Sequence, residues 1–374
     1  MDRQVIIARN IRARREELRL TQKDVAERSS LSVAGYRKIE SGKVEEPRMA
    51  TLTSIAVSLN LPLMTLFEEP RSLVSVRFRA QKKVRVRQRI IESMARWLED
   101  YEYLEDVLDD HRPFKLAQVA SQVSTYHGDD SKPVYAAKLA REAMELEEDE
   151  PILDVVGLLE WIGIKVRMMK YTNDGFFGLS GWGSSYNSPG VIVCDNNSIS
   201  TERKIFSAVH EMGHLLLHRD EYDISHENEI KEHEDEANSF ASHFLMPDSR
   251  FQEKWRELSG KSAYDRVMII KRVFDVSYKT ILMRLVEHGA VDYAEAQKYI
   301  YNNHRIKENR KLGSKTEPYA IGREYPFIAR RLDNLVRQAV EGDLITVSRG
   351  AEILGMSNTD MRQVMQEWNW ALAG

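Results

Sequence analysis

Cysteine is almost absent: Cys194 is the only one in 374 residues. No internal disulfide or cysteine-based zinc cluster can form, and a reducing compartment, the cytoplasm, is the expected setting. Long apolar runs are missing too. Nothing approaches the roughly 20 apolar residues of a membrane helix, so no membrane role is expected. The start, MDRQVIIARNIRARREE, lacks the apolar core of a secretory leader. There is no tandem repeat or low-complexity tract. What is present, 42% hydrophobic and 30% charged residues, reads as a soluble globular chain with room for two or three domains.

The net charge of -4 conceals an asymmetry. Residues 1–90 carry 20 Lys+Arg against 10 Asp+Glu, and the remainder 34 against 48. A basic head on an acidic body predicts that the head alone meets an anionic polymer. Helical periodicity dominates the chain; strand-like pieces occur at VRVR, within the basic strip RSLVSVRFRAQKKVRVRQR of residues 71–89, and around IKVRMM, GLSGW and GVIVCD. The expected class is mainly α with a small β-sheet (α+β). The expected organisation is an all-α head over 1–69, a basic and helical linker region over 70–133, a central domain over 134–300 and a helical interaction region over 301–374. Within the last of these, 302–322 reads as a polar linker.

The stretch SAVHEMGHLLLH, residues 207–218, carries the chemistry. Residues four apart share a helix face, so His210 and His214 can offer two imidazoles to one zinc ion. Glu211, about 100° further round, stands beside the ion and not on it. Bound zinc brings the pKa of its water to about 7, and Glu211 is then placed to accept the proton as general base for hydroxide attack on a carbonyl. A third ligand is available from the next predicted helix, EDEANSFASHFLMP, where Glu236 is the leading candidate. His218 is the rival. Three positions on one straight helix span about 12 Å at 1.5 Å per residue, so it is expected to support or cap the site. His226, His233 and His243 are expected on the surface or in packing, and Cys194 as a buried strand residue.

From residue 151 to 247, PILDVVGLLEWIGIKV, the Gly-Leu-Ser strand, GVIVCD, RKIFSAVHEMGHLLLH and EANSFASHFLMP together resemble the ImmA/IrrE family of zinc metallopeptidases. The resemblance implies a gluzincin-like domain, a small sheet packed on the helix that carries the ion. It also implies His210, His214 and Glu236 as ligands and Glu211 as the catalytic glutamate, with Glu234 and Asp235 as neighbouring alternatives for the third ligand. The implied substrate is a DNA-binding repressor protein. A substrate strand is expected along an edge such as GVIVCD, with Tyr171, Tyr186 or a nearby His steadying the oxyanion.

In the head, TQKDVAERSSLSVAGYRKIESGK resembles an Xre/Cro-type helix-turn-helix. Thr21 and Ser32 are N-cap signals, Val25, Ala26 and Ile39 are candidate core residues, and Leu31 fills the turn. Gln22 is placed to reach a phosphate. The recognition helix would present Ser32, Val33, Ala34, Arg37 and Lys38 to the major groove of double-stranded operator DNA, as a homodimer on a two-fold site. Near the other end, LITVSRGAEILGMSNTDMRQVMQEW has a fainter rhythm of the same kind, read as an interaction or dimerisation module. The expected function is a transcription regulator, bacterial or prophage-borne, whose zinc endopeptidase cuts a repressor, an antitoxin-like protein or itself. The alternative is a non-proteolytic sensor or antitoxin whose zinc domain grips a ligand or partner.

Overall fold

A computed structural model gives the fold and describes every residue except 1–2, 19, 68–74, 81–86, 148–150, 171–175, 184–187, 220–229, 314–315, 323–326 and 371–374. The chain divides into two compact units, residues 1–72 with 88–93, and residues 73–87 with 94–374. The linker, central and C-terminal segments expected from the sequence thus all fall mainly in the second unit.

The first unit is built from α1 (Arg3–Glu17), α2 (Gln22–Arg28), α3 (Val33–Glu40), α4 (Met49–Ser58) and a 3-10 turn, Leu63–Phe67. Local chemistry sets these boundaries. Thr21 forms a capping box with Asp24 at the start of α2, and the Ser32 side chain accepts from the Gly35 amide at the start of α3. Between the helices Ser30 adopts a left-handed conformation (φ 57°). Val25 and Ala26 are fully buried where α2 meets its neighbours, and Tyr36, Leu52 and Ile55 complete the core. Much of the basic charge of α1 is used internally. Arg15 grips the buried Glu40 with two bonds of 2.6 and 3.0 Å and also donates to the Leu20 carbonyl, while Arg14 donates to the Leu59 carbonyl.

The second unit opens with β1 (Ser75–Ala80) and continues through α5 (Arg87–Leu108, of which residues 94–108 belong here), α6 (Ala117–Ser124), α7 (Lys132–Ala143) and α8 (Val155–Trp161). Then follow β2 (Lys165–Met169), β3 (Phe176–Trp182), β4 (Pro189–Cys194), α9 (Thr201–Leu217) and α10 (Lys231–Leu245). The strands form one sheet in the order β1-β3-β4-β2, with β2 parallel to β4 and the other pairs antiparallel. Side chains alternate faces along a strand. Gly190 therefore faces α5, where an added Cβ would meet Leu98, while Val191 and Val193 face the core around α9. Both faces of β4 are covered, which explains its continuous apolar run GVIVC. The basic strip contributes β1, at 75–80; the strand-like VRVR lies largely outside the described residues.

α9 is buried almost all round, packed on β3 and β4 on one side and on α6, α7, α8 and α10 on the others. Gly213 makes the α10 approach possible, because a Cβ there would sit 2.8 Å from the Phe240 ring. The remaining elements are α11 (Asp248–Glu257), α12 (Ala263–Val273), α13 (Tyr278–Glu287), α14 (Tyr293–Glu308), α15 (Arg331–Glu341), α16 (Val347–Ile353) and α17 (Asn358–Trp370). The expected linker at 302–322 needs correction: α14 runs on to Glu308, and the segment beyond is tied to α9. The buried Glu202 carboxylate, at the start of α9, accepts from Lys271 Nζ (2.9 Å) and from the Ile321 amide (3.0 Å). A second buried network joins α15 to α5, Arg331 reaching Glu105 at 2.7 Å and Asp110 at 2.8 Å.

Candidate metal centre and nucleic-acid interface

α9 places His210 and His214 one turn apart, both fully buried, with their Nε2 atoms 2.9 Å from each other. Glu234, in the first turn of α10, completes the cluster: its carboxylate lies 3.3 Å from His210 Nε2 and 3.1 Å from His214 Nε2. The three ligand atoms all fall within 4.8 Å of one another. Burial alone would raise the Glu234 pKa, but the hydrogen bonds and charge of the two histidines hold it far below the ordinary carboxylate range. Two imidazole nitrogens and a carboxylate facing each other this closely need a proton or a cation among them. Nitrogen and oxygen donors of this kind suit zinc, and three protein ligands leave a fourth position open.

Glu236, the expected third ligand, is elsewhere. Its Oε2 lies 2.7 Å from His218 Nε2. Residues two apart on a helix stand about 200° apart around the axis, so Glu234 and Glu236 cannot both face the histidine pair. The crossing of α9 and α10, close at Gly213, turns Glu234 inward. His218 caps the C-terminus of α9, and its Nδ1 lies 3.0 Å from His214 Nδ1. One tautomer assignment satisfies the chain: His214 Nδ1–H donates to His218 Nδ1, and His218 Nε2–H donates to Glu236. That leaves the His214 Nε2 lone pair directed at the cluster. His233 stacks on His218 with ring centroids 4.3 Å apart.

Glu211 is fully buried on the same helix. Its carboxylate lies against the backbone of β3, for a Cβ added at Gly178 would be 2.4 Å from Glu211 Oε1. The Gly-Leu-Ser strand thus leaves the space the acid occupies, a role the sequence reading did not assign to Gly178. β4, expected to offer an edge to a substrate, has β3 on one side and β2 on the other. Tyr171, Tyr186 and His226 lie outside the described residues. His243 is a packing residue bonded to the Ser239 carbonyl at 2.8 Å, and Cys194 is a buried strand residue.

In the first unit, the side chains of Ser32, Ala34, Arg37 and Lys38 stand exposed along α3, and Gln22 is half-buried at the start of α2. Arg37 Nε donates to Gln22 Oε1 at 3.0 Å, so two of the expected DNA contacts are mutually oriented. Val33 departs from expectation: it is half-buried and packs on the core.

Residues 11–66 match the helix-turn-helix family model, and residues 161–286 match the model of the IrrE N-terminal-like domain. The chain joins a helix-turn-helix domain to an IrrE N-terminal-like domain. Among curated proteins, nothing matches. The helix-turn-helix makes the protein a DNA-binding regulator, and the IrrE N-terminal-like domain, a metallopeptidase-like module, brings His210, His214 and Glu234 together from α9 and α10. Among the described residues no helix is long and apolar enough to cross a membrane.

Proposed function

We propose that this protein is a DNA-binding transcription regulator whose IrrE N-terminal-like domain is a zinc-dependent endopeptidase, acting on a repressor or antitoxin-like protein. The convergence of His210, His214 and Glu234 carries the reading. These three side chains would hold the ion, and zinc there supplies a Lewis acid that polarises a peptide carbonyl and makes water acidic. His218, itself held by Glu236, orients His214. Glu211, buried in the groove that Gly178 leaves open, accepts a proton from the attacking water and returns one to the leaving amine. In the head, α3 lies in the major groove with Arg37 and Lys38 toward the DNA, and a homodimer on a two-fold operator supplies the affinity that one domain lacks.

The test is Glu211→Gln. The variant is expected to bind zinc as the parent does and to lose cleavage of candidate repressor proteins by three or more orders of magnitude. Unchanged cleavage sinks the mechanism. A zinc-loaded parent that cuts nothing, while zinc alters its affinity for DNA, transfers the domain to a sensor role.

A further inference from the structure

The C-terminal helices reproduce the head's helix-turn-helix position by position, at one constant offset. The α2 N-cap Thr21 corresponds to Thr346, the N-cap of α16, and each accepts from the amide three residues on at 3.2 Å. Both first helices have 7 residues. The left-handed turn residue Ser30 (φ 57°) corresponds to Gly355 (φ 67°). The bond closing the turn, Leu31 amide to Ala26 carbonyl at 2.8 Å, returns as Met356 amide to Ala351 carbonyl at 2.9 Å. Ser32, capping α3 through the Gly35 amide, corresponds to Ser357, bonded to the Asp360 amide at 3.1 Å. Tyr36 and Met361, each fully buried, anchor the second helices. α15 closes the bundle over Gly350, where an added Cβ would press on Val340, Met361 and Val336 at 3.0–3.1 Å.

The equivalents of Val33, Ala34, Arg37 and Lys38 are Asn358, Thr359, Arg362 and Gln363, all exposed on α17. Arg and Asn or Gln are the side chains that read guanine and adenine edges by paired hydrogen bonds. Among the described residues Arg362 has no ion pair. Within helices α15 and α16 the cations are committed: Arg331 to Glu105 and Asp110, Arg337 to Glu341, Arg349 to Asp100 and Glu352.

We propose that α16 and α17 are a second helix-turn-helix and that α17 reads duplex DNA through Asn358, Arg362 and Gln363. With most of its neighbouring cations engaged in ion pairs, this module makes few phosphate contacts. It contributes base preference, and the basic head supplies salt-dependent affinity. The two helix-turn-helices are therefore opposites: Ala34 in the head offers no hydrogen bond to a base, whereas the matching position in α17 is Thr359.

The experiment selects duplexes from a random pool with the full chain and measures binding across salt concentrations. Two sequence elements are expected. Arg37→Ala with Lys38→Ala weakens one and lowers the salt slope. Arg362→Ala with Gln363→Ala erases the other, a loss of preference of roughly 5- to 150-fold, with the slope changed by about one or less. Arg362→Lys, which keeps the charge and the fold but not the planar fork, is expected to lose the same preference. Selection by both α17 variants of the same sequences with parental preference overturns the proposal and makes this bundle a protein-docking module.

Discussion

The head and the metal centre are built from the same element, a pair of adjacent helices, yet they depend on sequence in opposite ways. In the head, two caps, a left-handed residue and a small residue at the crossing lie within α2 and α3 and the turn between them, and each acts on its immediate neighbours. In the centre, the caps and periodicity produce α9 and α10, but the ligand set depends on how those helices cross. Local chemistry specifies a motif when every member lies within a turn or two. It underspecifies a site when one member arrives on a separate element.

The sharpest way to break this comparison is at the third ligand. Glu234→Gln is expected to weaken zinc binding by at least about a hundred-fold, and Glu236→Gln by about ten-fold, as for a group that orients a ligand. Titration of each variant with zinc measures both, and the reverse order would restore Glu236 as the ligand. It would also undo the account of the helix crossing.

The next effect is in the head. Glu40→Ala leaves Arg15 half-satisfied in a nearly closed pocket and is expected to cost about 3 kcal/mol. Burial alone would raise the Glu40 pKa, and the hydrogen bonds from Arg15 and Gln22 together with the Arg15 charge more than reverse this, so it sits below its ordinary value. A depressed carboxylate contributes stability above its unfolded pKa of about 4.3 and loses it as pH falls through the lower folded value. The melting of this unit should therefore fall on acidification below about pH 4.5, and the Glu40→Ala variant should show a shallower fall.

Gly213→Ala tests the crossing itself. The added methyl meets the Phe240 ring at 2.8 Å, and overpacking of this kind costs about 1–3 kcal/mol. The second unit should lose that stability, and zinc affinity should fall with it, while the melting of the head stays in place. An unchanged zinc affinity would mean that the close approach of α9 and α10 does not set the ligand geometry.

The smallest expected effect is at the caps. Thr21→Ala and Thr346→Ala should each cost about 1 kcal/mol. Similar losses at both would support the equivalence of the two helix-turn-helices. A loss confined to the head would weaken it.

Much of this was legible in advance because the signals were short-range. The HExxH spacing, the caps at Thr21 and Ser32, the buried Val25 and Ala26, the strands IKVRMM and GVIVC and the supporting place of His218 all follow from local periodicity. Three features were hidden for physical reasons. Val33 looks exposed on a helical wheel, but it packs on the head core. The end of α14 carries polar residues because much of its last stretch is exposed, and polarity there resembles a linker. Gly178 carries no side chain to signal its use, which is to leave room for Glu211.

By itself, the sequence determined which segments become helices and strands, where the caps fall and which imidazoles share a face, since these are set by neighbours within about one turn. Only the tertiary structure brought Glu234, and not Glu236, beside the histidine pair, enclosed β4 on both sides and brought Gly178 against Glu211. Those outcomes depend on the angle and depth at which separate elements pack, a property of the whole core that no single segment encodes.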